Sequence, residues 1–209
     1  SLIVVEQGEI SKIDLDLKVT SGTIEYNLKD AKINFTDKVN IDDKKNDLVI
    51  YSNKIDYDIN NQKIFGQGNT KIIDEFDNTY EVSEFEYSTK DKIIKLADTK
   101  VSDLNENTFF LKVAYLDLNK KEIVAKDIGL NFKISENSEN EPRLKGRSLI
   151  TDERNTVVKK GTFTFCKKRE KEKCPPWEMS AKEIRHDKLK KIIHYKGASL
   201  KVYDKKVFY

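Results

Sequence analysis

No stretch of this 209-residue chain approaches the roughly 20 consecutive apolar residues of a membrane-spanning helix. Histidine and cysteine are scarce, two of each, which leaves little for metal or nucleophilic chemistry. A zinc site from Cys166, Cys174, His186 and His194 would need Cys-x7-Cys and His-x7-His spacings, and neither belongs to a usual zinc knuckle. Lys167, Lys168 and Arg169 could lower the pKa of a nucleophilic Cys166. No oxyanion-hole turn or third catalytic member accompanies it. No nucleotide-binding loop is present. The expectation is a protein that is not an enzyme and carries no metal or cofactor.

An excess of one charge is also missing. Lys and Arg total 39 against 36 Asp and Glu, so net charge selects no partner. Only residues 143–206 are plainly basic, which reads as a solvated face or as a surface for an anionic headgroup or partner. Nucleic acid is excluded as the expected partner, because the aromatic residues follow strand period and build no stacking platform among the basic ones. The chain opens at Ser1 without a charged n-region or apolar h-region, so an export signal, if there was one, is expected to have been removed.

What the chain has is a short phrase repeated at about 30 residues, a spacing that marks a stacked or rolled repeat architecture. Ile55-Asp56-Tyr57, Lys63-Ile64 and Thr70-Lys71-Ile72-Ile73-Asp74 return as Phe85-Glu86-Tyr87, Lys92-Ile93 and Thr99-Lys100-Val101-Ser102-Asp103. Val113-Ala114-Tyr115 with Lys121-Glu122-Ile123 is a third copy. Thr23-Ile24-Glu25-Tyr26 with Lys32-Ile33, and Ile184-Arg185-His186 with Lys191-Ile192, are looser relatives. Apolar residues are 37% and charged residues 36%, yet the apolar ones alternate, as in antiparallel strands with one dry and one wet face. The unit is therefore a strand pair, and the fold class is all-β.

Turn chemistry falls between the strands at Ser21-Gly22, residues 42–47, Asn60-Asn61, Asp77-Asn78, residues 105–107 and Asn119-Lys120. Gly66 and Gly68 fall inside a strand and predict a bulge or a close sheet contact. Residues 135–142 read as a loop between repeats at 1–134 and a final portion at 143–209, all in one β-repeat domain, 1–209. A hairpin is expected around Asp152-Asn155, and Ala181-Lys182-Glu183-Ile184 reads as a strand. Cys166 and Cys174 read as oxidised, with each other or with a partner outside this segment. A bridge closing so short a loop contributes about 2–3 kcal/mol.

One stretch carries a resemblance. It runs from Lys145-Gly146-Arg147 through Gly161-Thr162-Phe163-Thr164-Phe165-Cys166 and Pro176-Trp177-Glu178-Met179-Ser180-Ala181 to Ile193-His194-Tyr195, Ala198-Ser199-Leu200-Lys201-Val202 and Lys206-Val207-Phe208-Tyr209. This pattern resembles the periplasmic OstA-like domain of the lipopolysaccharide-assembly family LptD, and the upstream repeats are similar to those shared with LptA and LptC. Lys206 stands where that family usually has proline, and the cysteine spacing is wider than its closer pairs.

The resemblance implies an OstA-type β-jellyroll, a folded antiparallel sheet open along one side, that precedes an outer-membrane barrel expected to begin near Tyr209. It implies a place at the periplasmic face of the outer membrane of a Gram-negative bacterium. Lipopolysaccharide would be the ligand. Partners would be an LptA-like periplasmic protein, joined by edge-strand pairing through residues 2–5 or 10–19, and the barrel with its lipoprotein partner. The candidate groove residues are Ile24, Tyr26, Ile33, Phe35, Ile55, Tyr57, Ile64, Phe85, Tyr87, Ile93, Leu111, Val113, Tyr115, Ile123, Phe163, Ile184 and Ile192. Two rival readings are a free-standing LptA-like or LptC-like bridge and a structural β-repeat module with a filled core.

Overall fold

The computed structural model describes residues 2–12, 17–133, 141–166, 176–203 and 205–208. Among them there is no helix, and none is long and apolar enough to cross a membrane, a statement that says nothing of β-barrels. The all-β expectation holds. The first seven strands are β1 (Leu2–Lys12), β2 (Leu17–Asn27), β3 (Lys32–Asp43), β4 (Leu48–Asp58), β5 (Lys63–Ile73), β6 (Thr79–Ser88) and β7 (Ile93–Ser102). The second seven are β8 (Thr108–Asp117), β9 (Glu122–Asn131), β10 (Glu141–Thr151), β11 (Asn155–Cys166), β12 (Trp177–Asp187), β13 (Ile192–Val202) and β14 (Lys205–Phe208). They form one antiparallel sheet in which each strand neighbours the next in sequence, from β1 to β14, with no pairing of first to last. Two compact units result, Ser1–Val101 with Tyr115–Asn119, and Ser102–Ala114 with Lys120–Tyr209.

Two sets of turns punctuate the sheet. In one set a short polar side chain ends the even strand and accepts a backbone N–H from inside the turn. Asn27 accepts from Lys29 at 3.0 Å, Asp58 from Asn61 at 3.0 Å, Ser88 from Asp91 at 3.2 Å, Asp117 from Asn119 at 3.1 Å and Asp187 from Lys190 at 2.9 Å. Each of these turns closes on a residue with positive φ: Ala31, Gln62, Lys92, Lys121 and Lys191. The turns also bond to each other, Ile59 N–H to Ala31 C=O, Thr89 to Gln62 and Leu118 to Lys92 in the first unit, and Lys188 to Arg154 in the second. The repeat heard in the sequence is this stack of turns. The opposite turns begin with Asp43, Asp74 and Asp103, whose carboxylates accept from the backbone and side chain of Asn46, Asn78 and Asn107.

Strands are not straight. Several carry a left-handed residue near mid-length, among them Gln7 in β1, Asp37 and Lys38 in β3, Gly68 in β5, Asp98 in β7, Asp127 in β9, Lys160 in β11 and Gly197 in β13. The register shifts on both sides of β3 and of β5 at these points, as an extra bulged residue requires. The expected bulge at Gly68 is thus present. Gly66 meets the other half of that expectation, because a Cβ there would overlap the Phe85 ring on β6. Ser21-Gly22, expected as a turn, lies inside β2. Pro142, placed with the loop by sequence, lies in β10.

The bends fold the first unit back on itself. Ile33, Tyr57, Ile64 and Tyr87 lie side by side across β3 to β6. Asp43 lies at the far end of β3, about 33 Å further along if the strand were straight. The Tyr87 hydroxyl nevertheless donates to the Asp43 carboxylate. Only a strand bent near its middle can bring those two ends together. The inner face of one half then packs on the inner face of the other, and Phe35, Ile41, Ile50, Ile55, Ile64, Ile72, Tyr80 and Tyr87 are all buried.

Candidate functional site

The candidate groove is the inner face, and its geometry follows from the bends. Along β4 the inward residues are Leu48, Ile50 and Ser52, and then the step lengthens to Ile55 and Tyr57. The same three-residue step separates Ser21 from Ile24 in β2, Val82 from Phe85 in β6, Leu111 from Ala114 in β8 and Ala181 from Ile184 in β12. Small hydroxyl residues mark the corner in the first unit. Ser52 and Thr70 share a buried hydrogen bond of 2.9 Å, and the Ser21 hydroxyl donates to the Thr23 carbonyl at 3.0 Å.

Of the sequence-selected residues, Ile24, Ile33, Phe35, Ile55, Tyr57, Ile64, Phe85, Tyr87, Leu111 and Ile184 are buried. Tyr26, Val113, Ile123 and Phe163 are half-buried. Ile93, Tyr115 and Ile192 are exposed at 37%, 45% and 46%, so their assignment to the inner face is corrected. The reason is one of phase. Counted from the positive-φ residue that closes each turn, Ile33 and Ile64 correspond to Ile94, and Tyr26, Tyr57 and Tyr87 correspond to Leu116. Ile94 and Leu116 are buried. Sequence reasoning also missed Leu17, Val19, Ile41, Ile50, Ile72, Leu96, Leu130 and Leu149, all buried. The signal that finds them is the Asn, Asp or Ser that opens each turn, which fixes the count independently of the Lys-Ile pairs.

At the turn ends two inner-face hydroxyls are hydrogen-bonded, whereas the buried Thr99 hydroxyl at the β7 corner has no hydrogen-bond partner among the described residues. Tyr87 O–H faces both the Asp43 carboxylate and, at 3.2 Å, the Asn46 amide. Tyr80 O–H donates to Asp74 at 2.7 Å. Burial, reinforced by these carboxylates, pushes both phenols well above their ordinary range. A cavity of about 20 Å³ lies among Ile10, Leu17, Val19, Phe35, Ile41, Ile55, Tyr57 and Ile64 in the first unit. One water needs roughly 10–15 Å³, so this space holds no alkyl chain while the two halves are in contact.

At the chain ends the sheet is not covered. Leu2, Ile3, Val4 and Val5 of β1 are 45–60% exposed. Ile193 and Tyr195 of β13 and Val207 and Phe208 of β14 are 40–70% exposed. Burial holds the Tyr195 phenol above its ordinary range.

Cys166 is a buried free thiol at the end of β11, 3.2 Å from the Thr164 hydroxyl and 3.9 Å from the Trp177 carbonyl. Cys174 lies outside the described residues, and the disulfide is not shown. His186 sits opposite Thr156 at the start of β11, away from Cys166 at its end. No group of three or more His, Cys, Asp or Glu able to hold a metal occurs among the described residues. No protein-family model matches the chain, and no curated protein is similar to it.

Proposed function

We propose that this chain is the periplasmic lipid-conducting domain of an outer-membrane lipopolysaccharide transport and assembly protein of the LptD kind. Acyl chains lie against the dry face of the bent sheet, received from an LptA-like bridge paired to an edge strand, and pass toward an outer-membrane barrel held with its lipoprotein partner. The domain catalyses nothing. The observation that carries the reading is that the apolar inner face stays uncovered at the terminal strands, at Ile3 and Val5, which pair with Tyr26 and Ile24, and at Ile193 and Tyr195. A structural repeat gains nothing from leaving such residues in water. The resemblance of residues 145–209 supports the same reading. Each CH₂ moved from water to the dry face contributes about 0.8 kcal/mol, so a multi-chain lipid gains enough to part the two strand halves without specific polar contacts.

The small interior cavity favours a second reading, a structural β-repeat module whose core is already filled. Photocrosslinking in cells that make lipopolysaccharide separates the two. A photoreactive residue at Tyr57 or Leu116, both inward, is expected to give lipid adducts, while Glu86 and Tyr115 on the outer side give none. Folded protein without adducts at either inward position would establish the structural module.

A further inference from the structure

The outer face of the second unit carries a feature the lipid reading does not use. A depression of about 260 Å³ is lined by Lys160, Gly161, Thr162, Ser180, Ala181, Lys182, Gly197 and Ser199, from β11, β12 and β13. Thr162, Ser180 and Ser199 stand in one cross-strand row, and Thr162 and Ser180 share a 3.1 Å hydrogen bond. Lys145 of β10 extends that row at the Thr162 end. Two residues along, on the same face, Lys160 lies opposite Lys182, between the pairs Lys159–Glu183 and Gly161–Ala181. Lys182 runs its alkyl stem over Gly197, where a Cβ would come within 3.0 Å of it.

Like charges directly opposite each other on a sheet are destabilising. Lys160 and Lys182 are both exposed, no carboxylate lines the depression, and among the described residues neither ammonium has an ion-pair partner. Of the acidic residues along β12 nearby, Glu183 follows Lys182 at the corner and lies opposite Lys159 and Lys196, and Glu178 is held by Lys201 at 2.9 Å. Two ammonium donors beside three hydroxyl donors suit a compact oxyanion with acceptors on all sides. We infer that this depression binds a phosphate group, as a phosphomonoester or pyrophosphoryl anion, between Lys160, Lys182 and the Thr162–Ser180–Ser199 row. A bound dianion offsets the like charges of the two lysines.

The inference stands apart from the lipid-conducting reading and is tested without it. Thermal unfolding is followed during titration with pyrophosphate against sodium chloride of equal ionic strength. The midpoint rises with pyrophosphate, because a ligand of the folded state adds stability. In K160Q/K182Q the apparent affinity falls about tenfold or more, the scale of a lost charge-assisted hydrogen bond. In K44Q/K45Q, which removes two exposed lysines from a turn of the other unit, affinity is unchanged. S180A keeps every charge, binds more weakly, and serves as the test if the double lysine variant does not fold. Co-sedimentation with phosphatidylcholine vesicles, alone or with phosphatidic acid, identifies the source of the phosphate. Retention that needs both phosphatidic acid and the two lysines assigns a lipid headgroup, while a pyrophosphate response without retention assigns a soluble phosphate. Equal losses in K44Q/K45Q and K160Q/K182Q, or no response in either assay, overturns the site.

Discussion

Tyr87 and Asp43 show how one side-chain contact records a bend in the backbone. Their hydrogen bond joins the near end of β6 to the far end of β3, and it leaves a buried carboxylate dependent on Tyr87 and Asn46. Removing the hydroxyl in Tyr87→Phe is expected to destabilise by about 1–3 kcal/mol in urea unfolding at neutral pH, the range for a hydrogen bond to a charged group. The pH dependence has a definite sign. Burial first, then the Asp43 contact, raises the folded phenol above the unfolded value of 10.0. Tyr80 behaves likewise beside Asp74. Between the unfolded and folded pKa values the unfolded chain has lost a proton that the folded chain keeps, so their contribution is complete below pH 10 and declines above it. Each tyrosine lowers stability by up to about 1.4 kcal/mol per pH unit in that window. Unfolding free energies measured from pH 9 to 11 are expected to fall less steeply in Tyr87→Phe than in the wild type; identical slopes would refute the coupling.

A bent strand needs a residue that tolerates positive φ, and the chain solves this differently from strand to strand. β5 uses Gly68 at φ 82°, while β7, β9 and β11 place Asp98, Asp127 and Lys160 at φ 45–51°. Nothing lies within 4 Å of a Cβ built at Gly68, so a substitution there tests backbone strain without a steric clash. Gly68→Val is expected to cost about 1–2 kcal/mol and Gly68→Asn distinctly less, because asparagine visits the left-handed region more readily. Equal losses in chemical denaturation would mean that the side chain, and not the backbone angle, sets the cost. This bend is where alternation failed as a guide. Reading every second residue works on either side of a bulge and loses its phase across it, and matching the copies by their Lys-Ile and aromatic positions instead of by the residue that closes each turn put Ile93, Tyr115 and Ile192 on the wrong face.

A linear order of fourteen strands leaves two terminal edges, and exposed edges are templates for strand addition. β1 carries Leu2, Ile3, Val4 and Val5 with both of its faces exposed. Association through this edge is expected to be concentration-dependent and to be suppressed by Val4→Lys with Leu2→Lys. Melting of the monomer should stay within about 0.5 kcal/mol of wild type, as for exposed positions generally. Sedimentation velocity of wild type and variant across a concentration series measures it. Unchanged association in the variant would move the interface away from β1.

Composition and alternation were sufficient for an all-β chain built from strand pairs. The Asn, Asp and Ser residues at the turns were sufficient for most strand boundaries, because these side chains satisfy turn amides locally. Alignment of the repeats made Ala181–Ile184 legible as a strand. Ser21-Gly22 misled, since turn-forming residues also suit a corner inside a strand. Which residues face inward beyond each corner was decided only by tertiary structure. The extra residue at a bulge shifts the phase, and the position of that shift depends on two strand halves closing on each other. The row of Thr162, Ser180 and Ser199 beside Lys160 and Lys182 was equally out of reach, because cross-strand register joins residues far apart in sequence. Local interactions wrote the repeat into the sequence, and long-range packing chose its inside and its outside.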